Sequence, residues 1–273
     1  YRMFSDKDLD EVIKTSMFIE LIQSFLLIHD DIIDRSDLRR GSPTVHRVFE
    51  QVGKEKGLGD EEHFGTTMGI LAGDLANQFA YEVIANSNLG PKDRVLSMLS
   101  KGLSEVILGE VGDVYLGLVE SATEKEIEDV HKYKTAVYTF KLPVLAGAIF
   151  AGADDEDLGA LEQFSVKCGT AFQIKDDILG LFGKDEETGK PNRSDIEEGK
   201  KTLLTQFAQK KGTKTQREFI ISRLGKAGIS DVDLEQFRQI VAETGALKHA
   251  QERCLGLVQD GQVDLEGLKE IGR

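Results

Sequence analysis

Apolar residues recur at three- and four-residue steps along most of this 273-residue chain, and only four prolines interrupt them. In 9–33 the line Ile13, Met17, Leu21, Phe25 and Ile28 follows that rule, which places these side chains on one face of a helix. Similar patterns run through 64–86, 92–118, 124–151, 156–182, 195–210, 214–224 and 231–258. Pro43 and Pro91 fall at boundaries and Pro191 in a loop, whereas Pro143 interrupts a helical pattern and is expected to kink it. Neither repeated strand–helix units nor runs of alternating strand residues occur. The expectation is an all-α fold, a single-domain helical bundle of about ten helices over 1–273. With 40% hydrophobic residues, the chain is long enough for one sizeable core.

The formal charge of −14 disfavours general nucleic-acid binding and attachment to anionic membranes. An anionic substrate stays open where local cations reverse that sign. Two cysteines, Cys168 and Cys254, form no CxxC pair, which suits a reducing, cytoplasmic setting, and Cys168 reads as a core residue. No uninterrupted run of 18 apolar residues is present, so neither a membrane-spanning helix nor a stable membrane anchor is expected. No leader peptide is visible. The chain starts at Tyr1 in what already reads as helix, so a preceding segment is expected to be missing.

Two acidic clusters stand inside apolar helical stretches: DDIID at Asp30–Asp34 and the pair Asp176–Asp177. Burying unpaired charge is unfavourable, so carboxylates in such surroundings call for counter-charge. Asp30 and Asp34 lie one helical turn apart on one face. Hard cations with oxygen ligands suit them, magnesium best if substrate phosphates complete the shell. Asp31, rotated by about 100°, flanks the site. The bland alternative is a solvated acidic helix end. Arg39 and Arg40 follow on a Gly-Ser-Pro turn, where guanidinium groups grip phosphate oxygens or else pair with Asp37 or Glu50. Gln23, seven residues before Asp30, is either a diphosphate contact or a polar residue at the core edge. His29 is either a partner of the acidic site or a packing residue.

Asp176 is a candidate ligand for a further ion, with Asp177 beside it and Phe172, Gln173 preceding. Asp37–Thr44 and Gly183–Gly199 read as loops following the two clusters, where function commonly resides. Lys134 and Thr135 open an apolar run, and Lys190, Lys200 and Lys201 follow the second cluster. Taken singly these lysines read as solvated surface charges, and their position beside the aspartate helices gives them weight. The five histidines show no zinc spacing, and neither a GxxxxGK[ST] loop nor a GxGxxG fingerprint occurs.

LIHDDIIDRSDLRRGSPTVH followed by FQIKDDILGLFG resembles the two aspartate-rich motifs of the trans-isoprenyl diphosphate synthases, the family of farnesyl and geranylgeranyl diphosphate synthases. LAGD at Leu71–Asp74, KYKTA at Lys132–Ala136 and the motif from Thr188 to Thr202 match in the same order. The resemblance implies helices around a deep central cavity and a homodimer. It implies three magnesium ions held by Asp30, Asp34 and Asp176 with support from Asp31 and Asp177. Arg39, Lys134, Lys190 and Lys200 would hold the allylic diphosphate (dimethylallyl, geranyl or farnesyl). Arg40, Gln23 and Phe172 would hold isopentenyl diphosphate, and Thr135 and Gln173 would face the reacting carbons. Two departures stand out. Gly180 replaces the last aspartate of the second motif, and the family's upstream Gly-Gly-Lys-Arg segment is absent.

The implied reaction is ionisation of the allylic diphosphate, attack by the isopentenyl double bond and loss of a proton. Product length in the family depends on bulk below the first motif. Phe25 and Leu26 lie roughly 6–7.5 Å deeper along the helix than Asp30. An aromatic at the position of Phe25 resembles geranylgeranyl synthases, so a twenty-carbon product is expected, with fifteen next. The helical wheel nonetheless puts Leu26, not Phe25, on the face of Asp30. A terpene cyclase shares the first motif but has a different second one. A non-catalytic regulatory subunit typically loses aspartates that are retained here.

Overall fold

The computed structural model describes residues 1–183, 192–266 and 268. It runs α1 (Leu9–Ile33), β1 (Leu38–Arg39), β2 (Ser42–Pro43), α2 (Val45–Lys56), α3 (Glu61–Asn86) and α4 (Lys92–Leu118). Then come α5 (Glu124–Val130), a π-helical segment (His131–Lys141), α6 (Leu142–Phe150) and α7 (Asp155–Phe182). The chain ends with α8 (Ser194–Glu197), α9 (Leu203–Lys211), α10 (Lys214–Arg223), α11 (Asp231–Glu243) and α12 (Ala246–Leu265). The all-α reading holds.

The differences have local causes. α2 was not among the helical stretches read from the sequence, although Val45, Val48, Phe49 and Val52 keep helical spacing, and it buries His46 and Gly53 instead of these apolar residues. The span 195–210 breaks after α8, where Gly199 takes φ +75° and Thr202 opens a new helix through a reciprocal capping box with Thr205. The span 231–258 breaks at Gly245, φ +78°. The turn after α1 is a two-residue hairpin, Leu38 opposite Pro43 and Arg39 opposite Ser42. Its central residues Arg40 and Gly41 both have positive φ, 53° and 77°, as such tight turns require.

Packing groups the chain into two compact units, Tyr1–Ser97 and Met98–Arg273. In the first, α3 presents Gly65, Gly69 and Gly73, four residues apart on one face. A Cβ on Gly65 would sit 2.5 Å from the His46 carbonyl oxygen of α2. One on Gly69 or Gly73 would strike Ile32 or His29 of α1. The helices therefore approach more closely than larger residues permit. α1 buries Phe18, Ile22 and, of the line read from its sequence, Phe25, whereas Ile13 and Met17 of that line are 68% and 55% exposed. Apolar residues surround α1 so widely that more than one stripe satisfies a helical period, and the partner chooses between them. For the same reason α1 reaches the length and mean hydropathy (1.4) of a membrane span although no unbroken apolar run exists. That differs from the expectation drawn from run length.

In the second unit α7 is central, packed against the π-helical segment and α12. Its Ile174, Ile178 and Leu181 join Leu203, Leu204 and Phe237 in a buried cluster. Cys168 is half-buried on α7, not fully in the core as expected, and lies near Gly261 of α12. Burial raises both cysteine thiols above their ordinary pKa.

Pro143 does not simply kink a helix. The N–H of Leu142 bonds Val137 O, five residues back, and the helix restarts with proline in its first turn. Proline lacks the donor that a continuous α-helix needs, and its fixed φ suits a helix start. The widened segment is gripped from two sides. Gly109 of α4 lies against the Lys134 backbone, and a Cβ on Gly169 of α7 would meet Ala136 Cα at 2.6 Å. The buried Lys141 ammonium, at the segment's end, pairs with Glu105 of α4 at 2.9 Å and Glu162 of α7 at 2.6 Å. Burial alone would lower its pKa, but the two carboxylates outweigh that and raise it.

Gly169→Ala is expected to destabilise the protein by about 1–3 kcal/mol, because the added methyl meets backbone and overpacks the contact. Urea denaturation measures this, and an unchanged midpoint would show that the helix spacing relaxes freely.

Candidate active site

The first acidic cluster forms at the C-terminal end of α1, where the helix dipole disfavours anions. The hairpin that follows returns a guanidinium to it. Arg39 Nη2 donates to Asp30 Oδ2 at 2.9 Å and to Asp31 Oδ1 at 2.6 Å, and Nε donates to Asp31 Oδ1 at 2.9 Å. Burial pulls the Arg39 pKa down, and the hydrogen bonds and charges of Asp31 and Asp30 more than offset it, leaving it raised. The three aspartates differ in setting. Asp31 is buried on Arg39, whereas Asp30 and Asp34 are half-buried. Arg40, at the hairpin tip, is exposed. Neither arginine takes up Asp37 or Glu50, the alternative partners, because Arg47 bonds both, at 2.7 and 2.5 Å.

Of the residues expected below this cluster, Gln23 and Leu26 are half-buried and Phe25 is buried. The Phe25 ring meets the His29 ring edge-on, with centroids 4.9 Å apart. His29 Nε2 lies 3.0 Å from the Ile70 carbonyl oxygen, and its ring sits over Gly73. His29 thus packs between α1 and α3, and its Nε2 also lies 3.7 Å from Asp74 Oδ1.

In the second unit the π-helical segment and α7 face each other through two pairs of residues, each four apart. Thr135 Oγ1 donates to Gln173 Oε1 at 2.8 Å. Gln173 Nε2 donates to Asp177 Oδ1 at 2.9 Å. His131 Nε2 then stands 3.1 Å from Asp177 Oδ2. The structure thus brings Thr135, Gln173 and Asp177 into one hydrogen-bonded chain, with His131 beside its end. The neighbouring Asp176 is exposed, one step round the helix. Phe172 is half-exposed and tilts against Phe140, with ring centroids 5.6 Å apart.

Lys134 and Lys200 are held by acids. Lys134 Nζ lies 2.6 Å from Asp113 Oδ2 and 3.0 Å from Glu110 Oε2 of α4. Lys200 Nζ lies 2.8 Å from Glu198 Oε2. Lys201 donates to the Gly199 carbonyl at 3.2 Å, and burial lowers its pKa. Lys190 lies outside the described residues.

Four partners escaped the sequence reading, among them Glu198 beside Lys200. Glu110 and Asp113 sit on a helix whose pattern spoke only of packing, and His131 was one of five histidines without metal spacing. Its one legible signal was its place four residues before Thr135.

Among the described residues no three of His, Cys, Asp and Glu converge closely enough to cage a metal ion. The acidic donors are nonetheless hard oxygens, with Asp176 exposed and Asp30 and Asp34 half-buried. That fits magnesium, which keeps water and takes one or two carboxylates plus substrate phosphates rather than an all-protein cage.

Replacing His131 by leucine removes the polar group facing the buried Asp177 Oδ2. A loss of about 1–3 kcal/mol of stability is expected, because the buried Asp177 carboxylate loses the polar nitrogen that stands beside it at 3.1 Å. Chemical denaturation of the variant checks this, and wild-type stability would show that the carboxylate finds another partner.

The family model for polyprenyl synthetase matches residues 1–241. A geranylfarnesyl diphosphate synthase of Natronomonas pharaonis is 34% identical over 99% of this chain and 74% of its own. A geranylgeranyl diphosphate synthase of Saccharolobus solfataricus is 30% identical over 97% of this chain and 75% of its own. The crystal structure of a Corynebacterium glutamicum geranylgeranyl pyrophosphate synthase, complexed with isoprenyl diphosphate and magnesium, superposes with a TM-score of 0.90. It is 35% identical, covering 97% of this chain and 76% of that one. Sequence motifs, all-α architecture and these relatives agree that the chain belongs to the polyprenyl synthetase family and is an enzyme of the trans-prenyltransferase kind.

Proposed function

We propose that this protein condenses isopentenyl diphosphate with an allylic diphosphate to make geranylgeranyl diphosphate. The observation that carries this reading is the joint presence of an acidic cluster clasped by Arg39 and the Thr135–Gln173–Asp177–His131 chain on α7. Magnesium, bound by Asp30, Asp34 and Asp176 and three ions per site in this reading, would stabilise the charge of the departing diphosphate. Arg39, Lys134 and Lys200 hold the diphosphate oxygens, exchanging their present carboxylate partners for phosphate. Arg40 and Gln23 hold isopentenyl diphosphate, with Phe172 beside it. Thr135 and Gln173 orient toward the reacting carbons, fixed by their mutual hydrogen bond. Apolar walls keep water from the allylic cation.

A twenty-carbon product agrees with Phe25 as the floor and with relatives named geranylgeranyl synthases. A longer product is the second reading, favoured by two relatives named geranylfarnesyl diphosphate synthases, 34% and 33% identical. Purified protein with magnesium, isopentenyl diphosphate and each allylic diphosphate in turn should yield a twenty-carbon chain. Phe25→Ala should lengthen it by at least one five-carbon unit, with Leu26→Ala tested beside it. No turnover with any allylic substrate would sink the reading, and failure to consume isopentenyl diphosphate would instead suit a cyclase. An unchanged product distribution would remove Phe25 as the floor.

The acting form in this reading is a homodimer. Ile107, Leu108, Val111, Val114, Tyr115 and Leu118 form an exposed apolar stripe on α4, and such stripes commonly pair. Light scattering should give twice the chain mass, and Leu108→Lys with Val111→Lys should give the single chain. A monomeric wild type would exclude this assembly.

A further inference from the structure

The first acidic cluster places carboxylates at 30, 31 and 34, and the same spacing on α7 gives 176, 177 and 180. Position 180 is glycine. Its missing side chain leaves no hole, because a Cβ on Gly180 would collide with Asp195 Oδ2. The carboxylate of Asp195, from α8, thus occupies the place where the third acid of α7 would project. Asp177, Gly180, Asp195 and Lys200 line one small cavity. The buried Asp177 Oδ2 has no well-aligned hydrogen bond, only the nearby His131 nitrogen.

The turn that carries Asp195 is firmly held. Ile196 is buried in the core cluster. Glu197 Oε1 accepts from the backbone N–H groups of Gly228 and Ile229, both at 2.9 Å. The Lys200 N–H donates to the Asp195 carbonyl at 2.9 Å, and the Gly225 N–H donates to that of Ile196 at 2.8 Å. These contacts fix the backbone of α8, and so hold the half-buried Asp195 beside Gly180.

We propose that Asp195 supplies, across the gap at Gly180, the third carboxylate of the second acidic cluster. It is a positioning residue for the divalent cation assigned to Asp176, and the inference rests on that assignment. It acts by adding negative charge beside the pair and by accepting hydrogen bonds from the cation's hydration shell. Gly180 is required because any side chain there displaces the Asp195 carboxylate.

The test is an exchange of acids. Magnesium binding is measured by calorimetry in the presence of a non-reactive thiolodiphosphate analogue of the allylic substrate, alongside the magnesium dependence of turnover. Asp195→Asn keeps the shape and should weaken magnesium binding roughly 10–100-fold, the range for groups that support a metal through its ligands. Gly180→Ala retains Asp195 but pushes its carboxylate away, and should weaken binding in the same direction, so the result does not hang on one variant folding. The double variant Gly180→Asp with Asp195→Asn returns an acid to the cluster and should recover most of the affinity. Wild-type magnesium binding in Asp195→Asn would overturn the proposal. So would a loss that the double variant fails to restore, since that marks a structural role for Asp195. An inactive wild type would count against the prenyl-transfer reading, whereas active wild type with indifferent variants counts against this inference alone.

Discussion

The close approach of the π-helical segment to α7 is the constraint on which the second unit's chemistry depends. Gly169 admits Ala136 to backbone contact, and Gly109 does the same for Lys134 on the α4 side. With the spacing so set, His131 and Thr135 meet Asp177 and Gln173, residue four on residue four. An α-helix through Pro143 would lack a donor at that proline, and the i−5 bond of Leu142 absorbs the mismatch before it. π-Helical turns commonly occur at functional sites, and here the widened turn carries both Lys134 and Thr135.

Charge is organised by neutralisation at short range. The chain carries a net −14, yet three of its candidate phosphate-binding cations hold acidic partners: Arg39 with Asp30 and Asp31, Lys134 with Glu110 and Asp113, Lys200 with Glu198. The pairs are not equivalent. Asp31 is buried, so Arg39 offsets a desolvation penalty that would otherwise disfavour the charged carboxylate. Exposed pairs elsewhere, such as Lys214 with Glu218, contribute little in water. Under the proposed function, a diphosphate with its cations would satisfy both members of such a pair at once.

Much of this was legible in advance. The periodicity located α1 and α4 to the residue and the spacing of Asp30 and Asp34 placed them a turn apart, because both follow from local helix geometry. Thr135 and Gln173 were named from a motif, and the structure adds that they bond each other. The buried face of α1 was misread, since Ile13 and Met17 are as apolar as Phe18 and Ile22 and only a partner distinguishes them. The breaks at Gly199 and Gly245 were missed because a glycine inside an apolar pattern looks the same whether it continues a helix or ends it.

The sequence by itself determined the helical class, the two acidic clusters and the family, because these rest on residue identity and short spacing. Only the tertiary structure decided which acid meets which base. Glu110 and Asp113 reach Lys134 across more than twenty positions, and His131 reaches Asp177 across more than forty. Asp195 takes the space at Gly180 from a different helix. Such partners depend on how closely two backbones approach, and that distance is set by glycines whose significance appears only when the opposing surface is in place.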